Sequence, residues 1–209
     1  MGSEGHGGQV DDALLGAARR LFAALGYDGT TVEMIADASG RDIAAVKRAG
    51  GKRGLYETVM EGLRQSYLSF YEDLYREIPG DARGMHDRLD RVIDIHLEYP
   101  ELASLWQHRS LSDALDLSDL EKRFRQPARE HLREVFGLEP LDDSEYEMVA
   151  SVFEWCVYGF VTGGVLRTDG PGRPDDPKQR TQFRDYMHHL LDLITKDREE
   201  RQKAGTGSL

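Results

Sequence analysis

Apolar residues in this chain recur with the period of an α-helix almost throughout, and no stretch alternates with the period of two that a half-buried strand requires. Leu14, Ala18, Leu21, Phe22 and Leu25 fall on one helical face, and Gly26 ends that helix as glycine does just past a C-terminus. Thr31 precedes Val32, Ile35 and Ala36, with Glu33 in the first turn, which predicts a capped short helix stopping near Ser39-Gly40. Asp42 predicts the cap of a third short helix, from Ile43 to about Ala49, ended by Gly50-Gly51. A longer stripe follows through Leu55, Val59, Leu63, Tyr67, Phe70, Leu74 and Ile78, closed by Pro79-Gly80.

Further stripes run through Leu89 to Leu97, Leu102 to Trp106 and Leu117 to Phe136. Another is expected from a cap at Asp143 or Ser144 to Val165, and a last one from Phe183 to Ile194. GPGRPDDP (170–177) is a loop by composition. The fold expected is all-α, with about nine helices. Residues 1–10 and the tail 199–209 are expected to be disordered.

Charge narrows the function. The 209 residues include 38 acidic and 27 basic side chains, a formal net charge of −11, which argues against a protein that coats nucleic acid over its whole surface. Yet Arg41, Lys47, Arg48, Lys52 and Arg53 face only Asp42, so a basic island sits on an acidic body. The longest nearly uncharged stretch, Trp155 to Leu166, is short of the roughly 20 residues a membrane span needs. The N-terminal residues have no apolar signal core, and one cysteine, Cys156, excludes an internal disulfide and a multi-cysteine zinc site. A cytoplasmic protein without membrane attachment is expected. His86, His96, His108, His131, His188 and His189 contain no i, i+4 pair within one helix, and His188 and His189 point to different faces, so no metal is expected. Nucleotide-binding loops and nucleophile elbows are also missing, so neither a cofactor nor catalysis is expected.

A short helix, a glycine turn and a second short helix have the shape of a helix-turn-helix. In such a motif the second helix enters the major groove of DNA, which is wide enough for one α-helix. Small Ala44 and Ala45, on a face away from Ile43 and Val46, would let the backbone approach, and Lys47 and Arg48 would reach bases or phosphates. An ordinary helical hairpin with a charged rim is the plainer alternative.

The segment LLGAARRLFAALGYDGTTVEMIADASG (14–40) resembles the start of TetR-family transcriptional regulators, and GKRGLYETVM (51–60) resembles the segment with which that family enters its fourth helix. The resemblance implies a homodimer with a DNA-binding unit at residues 11–52 and a ligand-binding and dimerisation domain at 53–198. It implies repression of transcription until a small molecule binds, and DNA contacts from Thr31, Arg41, Ala44, Ala45, Lys47, Arg48 and Lys52. The third helix departs from the family pattern: Val46 or Lys47 stands in place of a late aromatic residue, and Ala49 or Gly50 in place of a closing phenylalanine. That motivates a second reading, a helical small-molecule binding protein or enzyme with a degenerate helix-turn-helix. An interaction scaffold, the third, rests only on the acidic body.

Within the body, the last two helices are candidates for a dimer seam built as a four-helix bundle, with Gly159, Gly163 and Gly164 allowing close approach. Tyr67, Phe70, Tyr71, His96, Trp106, His108, Phe124, Trp155 and Tyr158 are candidate linings for a pocket that takes an apolar or aromatic effector; core packing is the alternative for each. Trp106 with His108, and Trp155 with Tyr158, are the leading pairs.

Overall fold

The computed structural model describes residues 11–117, 119–135, 141–168 and 170–206. Among these the chain forms nine α-helices. They are α1 (Asp12–Leu25), α2 (Val32–Ser39), α3 (Ile43–Arg48), α4 (Gly51–Glu77), α5 (Ala82–Glu98), α6 (Pro100–Ser110), α7 (Gln126–Val135), α8 (Asp143–Gly163) and α9 (Pro177–Thr206). A π-helical turn, Glu121–Arg125, leads into α7. A two-residue antiparallel pairing, Leu166 with Pro171 and Arg167 with Gly170, lies between α8 and α9.

Local chemistry sets the ends of most helices. The side chains of Asp11, Thr31, Asp42 and Asp81 each accept a backbone N–H of the helix they cap. For α8 the cap is Asp142, one or two residues before the expected position, and it accepts from Glu145. Gly40 ends α2 in the left-handed conformation, φ 67°, which glycine adopts without a Cβ clash. The tail departs from expectation: α9 continues through Thr206. Its polar residues are good helix formers, and Lys196–Glu200 and Asp197–Arg201 pair at i, i+4. Residues 1–10 and 207–209, also expected to be disordered, lie outside the described residues.

Packing divides the chain into two compact units. The first holds the described residues up to Phe70 together with Glu101–His131; the second holds Tyr71–Pro100 and the described residues from Leu132 onward. In the first unit, Leu14 and Phe22 of α1, Ile35 of α2, Val46 of α3, and Leu55 and Tyr56 of α4 share one core with Leu105, Leu117, Leu120 and Phe124. The helix-turn-helix therefore folds onto α6 and the segment after it as well as onto α4.

In the second unit, α5 packs on α8 and α9. A polar ladder crosses α5 and α9 in antiparallel order. His86 meets Asp192 at 2.7 Å, His188 meets Asp90 at 3.0 Å, and Arg184 meets Asp94. The rings of His86 and His188 stack with centroids 4.3 Å apart. Among the described residues no helix is long and apolar enough to cross a membrane, and no group of three His, Cys, Asp or Glu is placed to hold a metal ion.

Candidate nucleic-acid interface

The turn between α1 and α2 positions everything that follows. Gly26 closes α1 at φ 74°, a conformation that costs an ordinary L residue strain, and its N–H donates to the Phe22 carbonyl. Thr30 is buried and its Oγ1 donates to the Gly26 carbonyl at 2.7 Å. Thr31 is exposed, and its Oγ1 accepts from the Met34 N–H at 3.2 Å. A cap of this kind contributes about 1 kcal/mol. Thr31 thus holds the start of α2 while standing at the surface.

Asp42 Oδ1 accepts from the Ala45 N–H at 2.6 Å and starts α3. Val46 is 0% exposed, and Ala45 and Ala49 pack against the same core. The exposed face is therefore Ile43, Ala44, Lys47 and Arg48. This corrects the face read from the sequence. Ala45 turns inward and Ile43, 41% exposed, turns outward, because what lies behind a six-residue helix decides its face. The expected aromatic residue has a substitute behind α3. Tyr56 packs edge-on against Phe22 at 4.9 Å and against Tyr27 at 5.0 Å, so Val46 closes onto an aromatic cluster supplied by α1, the turn and α4.

The basic island separates into two groups. Lys47 and Arg48 are exposed and make no ion pair among the described residues. Both lie in the last turn of α3, where cations also suit the negative end of the helix dipole. Arg41 pairs with Asp11 at 2.7 Å and holds that carboxyl below its ordinary range, chiefly through the hydrogen bond. Lys52 is half-buried: its Nζ donates to the Tyr27 carbonyl at 3.0 Å and stands 4.1 Å over the Tyr27 ring. Arg53 pairs with Glu57. Arg41 and Lys52, expected as DNA contacts, thus serve the internal structure in this state, while Lys47 and Arg48 project outward.

The sequence gives no sign of the element that braces this turn. Asp113, in the turn after α6, receives the Tyr27 N–H on Oδ2 at 2.7 Å and the Asp28 N–H on Oδ1 at 2.8 Å. Asp28 returns a bond, its Oδ2 accepting from the Ala114 N–H at 3.3 Å. Arg109 supports the carrier loop. Its guanidinium donates to the carbonyls of Asp113, Ala114 and Leu117, and to both oxygens of Glu121. The hydrogen bond from Arg109 holds the Glu121 carboxyl below its ordinary value. Ser112 and Ala114 sit at φ 70° and 56°, a left-handed conformation that costs non-glycine residues about 1–3 kcal/mol each. No spacing rule links residues 85 and 86 positions apart. Only an unusual density of acidic residues around a short apolar turn, LSDALDLSD (111–119), marks the segment in the sequence.

The residues expected to line an effector pocket divide between the units. In the first, Phe124 is buried in the core, Trp106 packs against that core with Arg125 5.5 Å from its ring, and Tyr67 and Phe70 are half-buried. His108 Nε2 donates to the Ala23 carbonyl at 3.1 Å, so it caps the end of α1. In the second unit, Tyr71, His96 and Tyr158 are buried, and the His96 and Tyr158 rings approach to 5.4 Å. Burial pushes the His96 imidazole down and the Tyr71 hydroxyl up. Trp155 is 61% exposed, which removes it from a pocket with Tyr158. The two stand three positions apart on α8, but Tyr158 turns into the core and Trp155 out of it. Gly159 and Gly163 are exposed with open space where a Cβ would be, whereas Gly164 is pressed against the Gly172 backbone.

Residues 14–59 match the family model described as bacterial regulatory proteins, tetR family. The fold is shared more widely. The TetR-family regulator PfmR from Thermus thermophilus aligns with TM-score 0.59 and 21% identity, over 87% of this chain and 97% of its own. The ketosteroid transcriptional regulator KstR2 of Mycobacterium tuberculosis aligns with TM-score 0.61 and 18% identity, over 89% and 96%. AibR, solved in complex with isovaleryl coenzyme A and operator DNA, aligns with TM-score 0.64 and 18% identity, over 86% and 96%. No curated protein matches in sequence. Residues 14–59 thus carry the sequence pattern of the tetR family of bacterial regulatory proteins, and the fold of the chain is similar to that of TetR-family transcriptional regulators.

Proposed function

We propose that the protein is a homodimeric repressor that leaves its operator when a small apolar or aromatic molecule binds. The observation that carries the DNA contact is the outward face of α3: Lys47 and Arg48 stand exposed, without an acidic partner among the described residues, beside small Ala44. In this reading residues 11–52 bind DNA and 53–198 bind the effector and a second copy. Thr31, Ala44, Lys47 and Arg48 touch the operator, with Ile43 added to the face and Ala45 withdrawn from it.

The dimer seam lies on α8 and α9. Met148 and Trp155 are exposed seven residues apart on α8, as are Tyr186 and Leu193 on α9, so each helix offers one apolar stripe to a partner. The exposed Gly159 continues the α8 stripe and admits a close helix. Two copies would set their α3 helices about 34 Å apart, one turn of DNA. The aromatic residues left as candidates for an effector are Tyr71, His96 and Tyr158 within the second unit, and Tyr67, Phe70, Trp106 and Phe124 within the first. Support for a ligand response comes from the shared fold of AibR, which is solved with both an acyl coenzyme A and operator DNA.

The test begins with duplexes selected by the wild-type protein from a random library. Lys47→Ala with Arg48→Ala should weaken binding to the selected duplex at least about 30-fold, at about 1–3 kcal/mol per base contact. Removing a phosphate contact should also lower the salt slope by about 0.9. Selection of no sequence, or wild-type affinity in the double variant, overturns the reading. A dimer that binds small molecules but treats all duplexes alike would establish the degenerate-motif alternative.

A further inference from the structure

We propose that Asp113 is a positioning residue for DNA recognition, a carboxylate clamp that sets the tilt of α2 and α3 from the turn after α6. The proposal rests on the DNA-binding reading above and adds a residue far outside the helix-turn-helix. The N–H groups of Tyr27 and Asp28 lie past the end of α1 and before the cap of α2, so neither has a partner inside a helix. In most surface turns water would satisfy them. Here one carboxylate takes both, at 2.7 and 2.8 Å. Tyr27 is then held at its N–H by Asp113, at its carbonyl by Lys52, and at its ring by Phe22 and Tyr56. Four residues later Thr31 caps α2, so the direction in which α2 and α3 leave the turn follows from how Tyr27 is fixed.

The loop that presents Asp113 is also over-determined. Ser112 and Ala114 hold left-handed φ angles without being glycine, and such conformations persist only where their surroundings enforce them. Arg109 does so: all five of its N–H groups are used, three on carbonyls of this loop and two on Glu121. Gly26 completes the fit, since a Cβ there would lie 2.9 Å from Asp113 Oδ1. His108, one residue before Arg109, ties the same helix end to Ala23. The head is thus registered to the end of α6 by three side chains, Asp113, Asp28 and His108, and α4 is not its sole mechanical support.

The experiment compares wild type with Asp113→Asn, which keeps the size but exchanges an acceptor for a donor, and with the milder Asp28→Ala, which removes only the returning bond. Affinity is read on the duplex selected by the wild type and on a random duplex, across salt. Amide exchange at Tyr27 and Asp28 and the melting temperature are read beside it. Asp113→Asn should weaken the selected duplex about tenfold or more, leave the random duplex and the salt slope unchanged, and speed exchange at those two amides. Asp28→Ala should do the same to a smaller degree, and decides the matter if Asp113→Asn does not fold. Unchanged discrimination in the folded variants overturns the clamp. So does an equal loss on both duplexes with faster exchange throughout the first unit, which marks a merely structural role. A wild-type protein that selects no duplex overturns the DNA reading itself, and with it any positioning role.

Discussion

The first unit buries Phe22, Tyr27 and Tyr56 against one another, whereas the second leaves Met148, Trp155, Tyr186 and Leu193 in solvent. The first unit has exposed apolar residues of its own, Leu111 and Leu115 in the loop after α6, but its helix ends are closed. The free ends of its helices are taken up by Asp113, Lys52, His108 and Thr30. Directional hydrogen bonds of this kind fix an orientation, which apolar burial alone does not. The second unit is tied inside by polar side-chain pairs between α5 and α9, but its outer apolar side chains have no cover among the described residues. The difference suits the proposed function, in which the head presents a few side chains at a fixed angle and the body pairs with a second copy.

Three changes would break or sharpen that contrast. The largest effect is expected from Trp155→Arg with Tyr186→Asp, which puts charges on the open face of the second unit. If that face is a dimer seam, two buried aromatic anchors at about 2 kcal/mol each should weaken self-association about 1,000-fold, as read by sedimentation, while the monomer stays folded. An unaltered dimer would place the seam elsewhere. Next is Arg109→Met in the first unit. It leaves three loop carbonyls and Glu121 without their donor, so stability should fall by about 3 kcal/mol. For a chain of this size that is roughly 6–12 °C in melting temperature, and a loss under about 1 kcal/mol would show that the loop holds itself. In the same unit, the wild-type Glu121 pair should lose its contribution only in acid. The carboxyl is held below its ordinary value of 4.5, so the stabilisation is present above that pH and drains as pH falls through the lower folded value.

The smallest effect concerns His96 in the second unit. Burial keeps its imidazole below the ordinary value of 6.5, with the Val92 hydrogen bond and Glu154 opposing. As pH falls below 6.5 the unfolded chain takes up the proton before the folded one does, so stability present at higher pH is lost toward the folded value. A fall in stability as pH drops from about 7.5 to about 5.5 is expected, and His96→Leu should remove that part of the slope in urea unfolding. An unchanged slope would mean that His96 does not carry it.

Much of the first unit was legible in the sequence because the signals are local. Thr31, Asp42 and Gly26 act within three or four residues of themselves, and the structure places them as caps where the spacing predicts. The helical stripe of α1 also enters the core as expected, through Leu14, Ala18 and Phe22. Legibility failed where a distant neighbour decides. Ala45 and Ile43 exchanged faces because the wall behind α3 consists of residues from α1 and α4. Trp155 looked like a pocket residue, yet its rotation on α8 turns it outward, and composition carries no rotation. The reach of α9 to Thr206 was hidden by polar residues that suit a solvated helix as well as a disordered tail.

By itself, then, the sequence determined the all-α class, the caps at Thr31 and Asp42 and the cationic tip of α3, since each follows from the period of apolar residues and from hydrogen bonds closed within a turn or so of chain. Only the tertiary structure decided which of those cations stay exposed and which faces remain open. It also decided that an aspartate more than eighty residues away grips the turn before α2. Those outcomes depend on which surfaces meet, and contact between segments remote in the chain is governed by how whole helices pack.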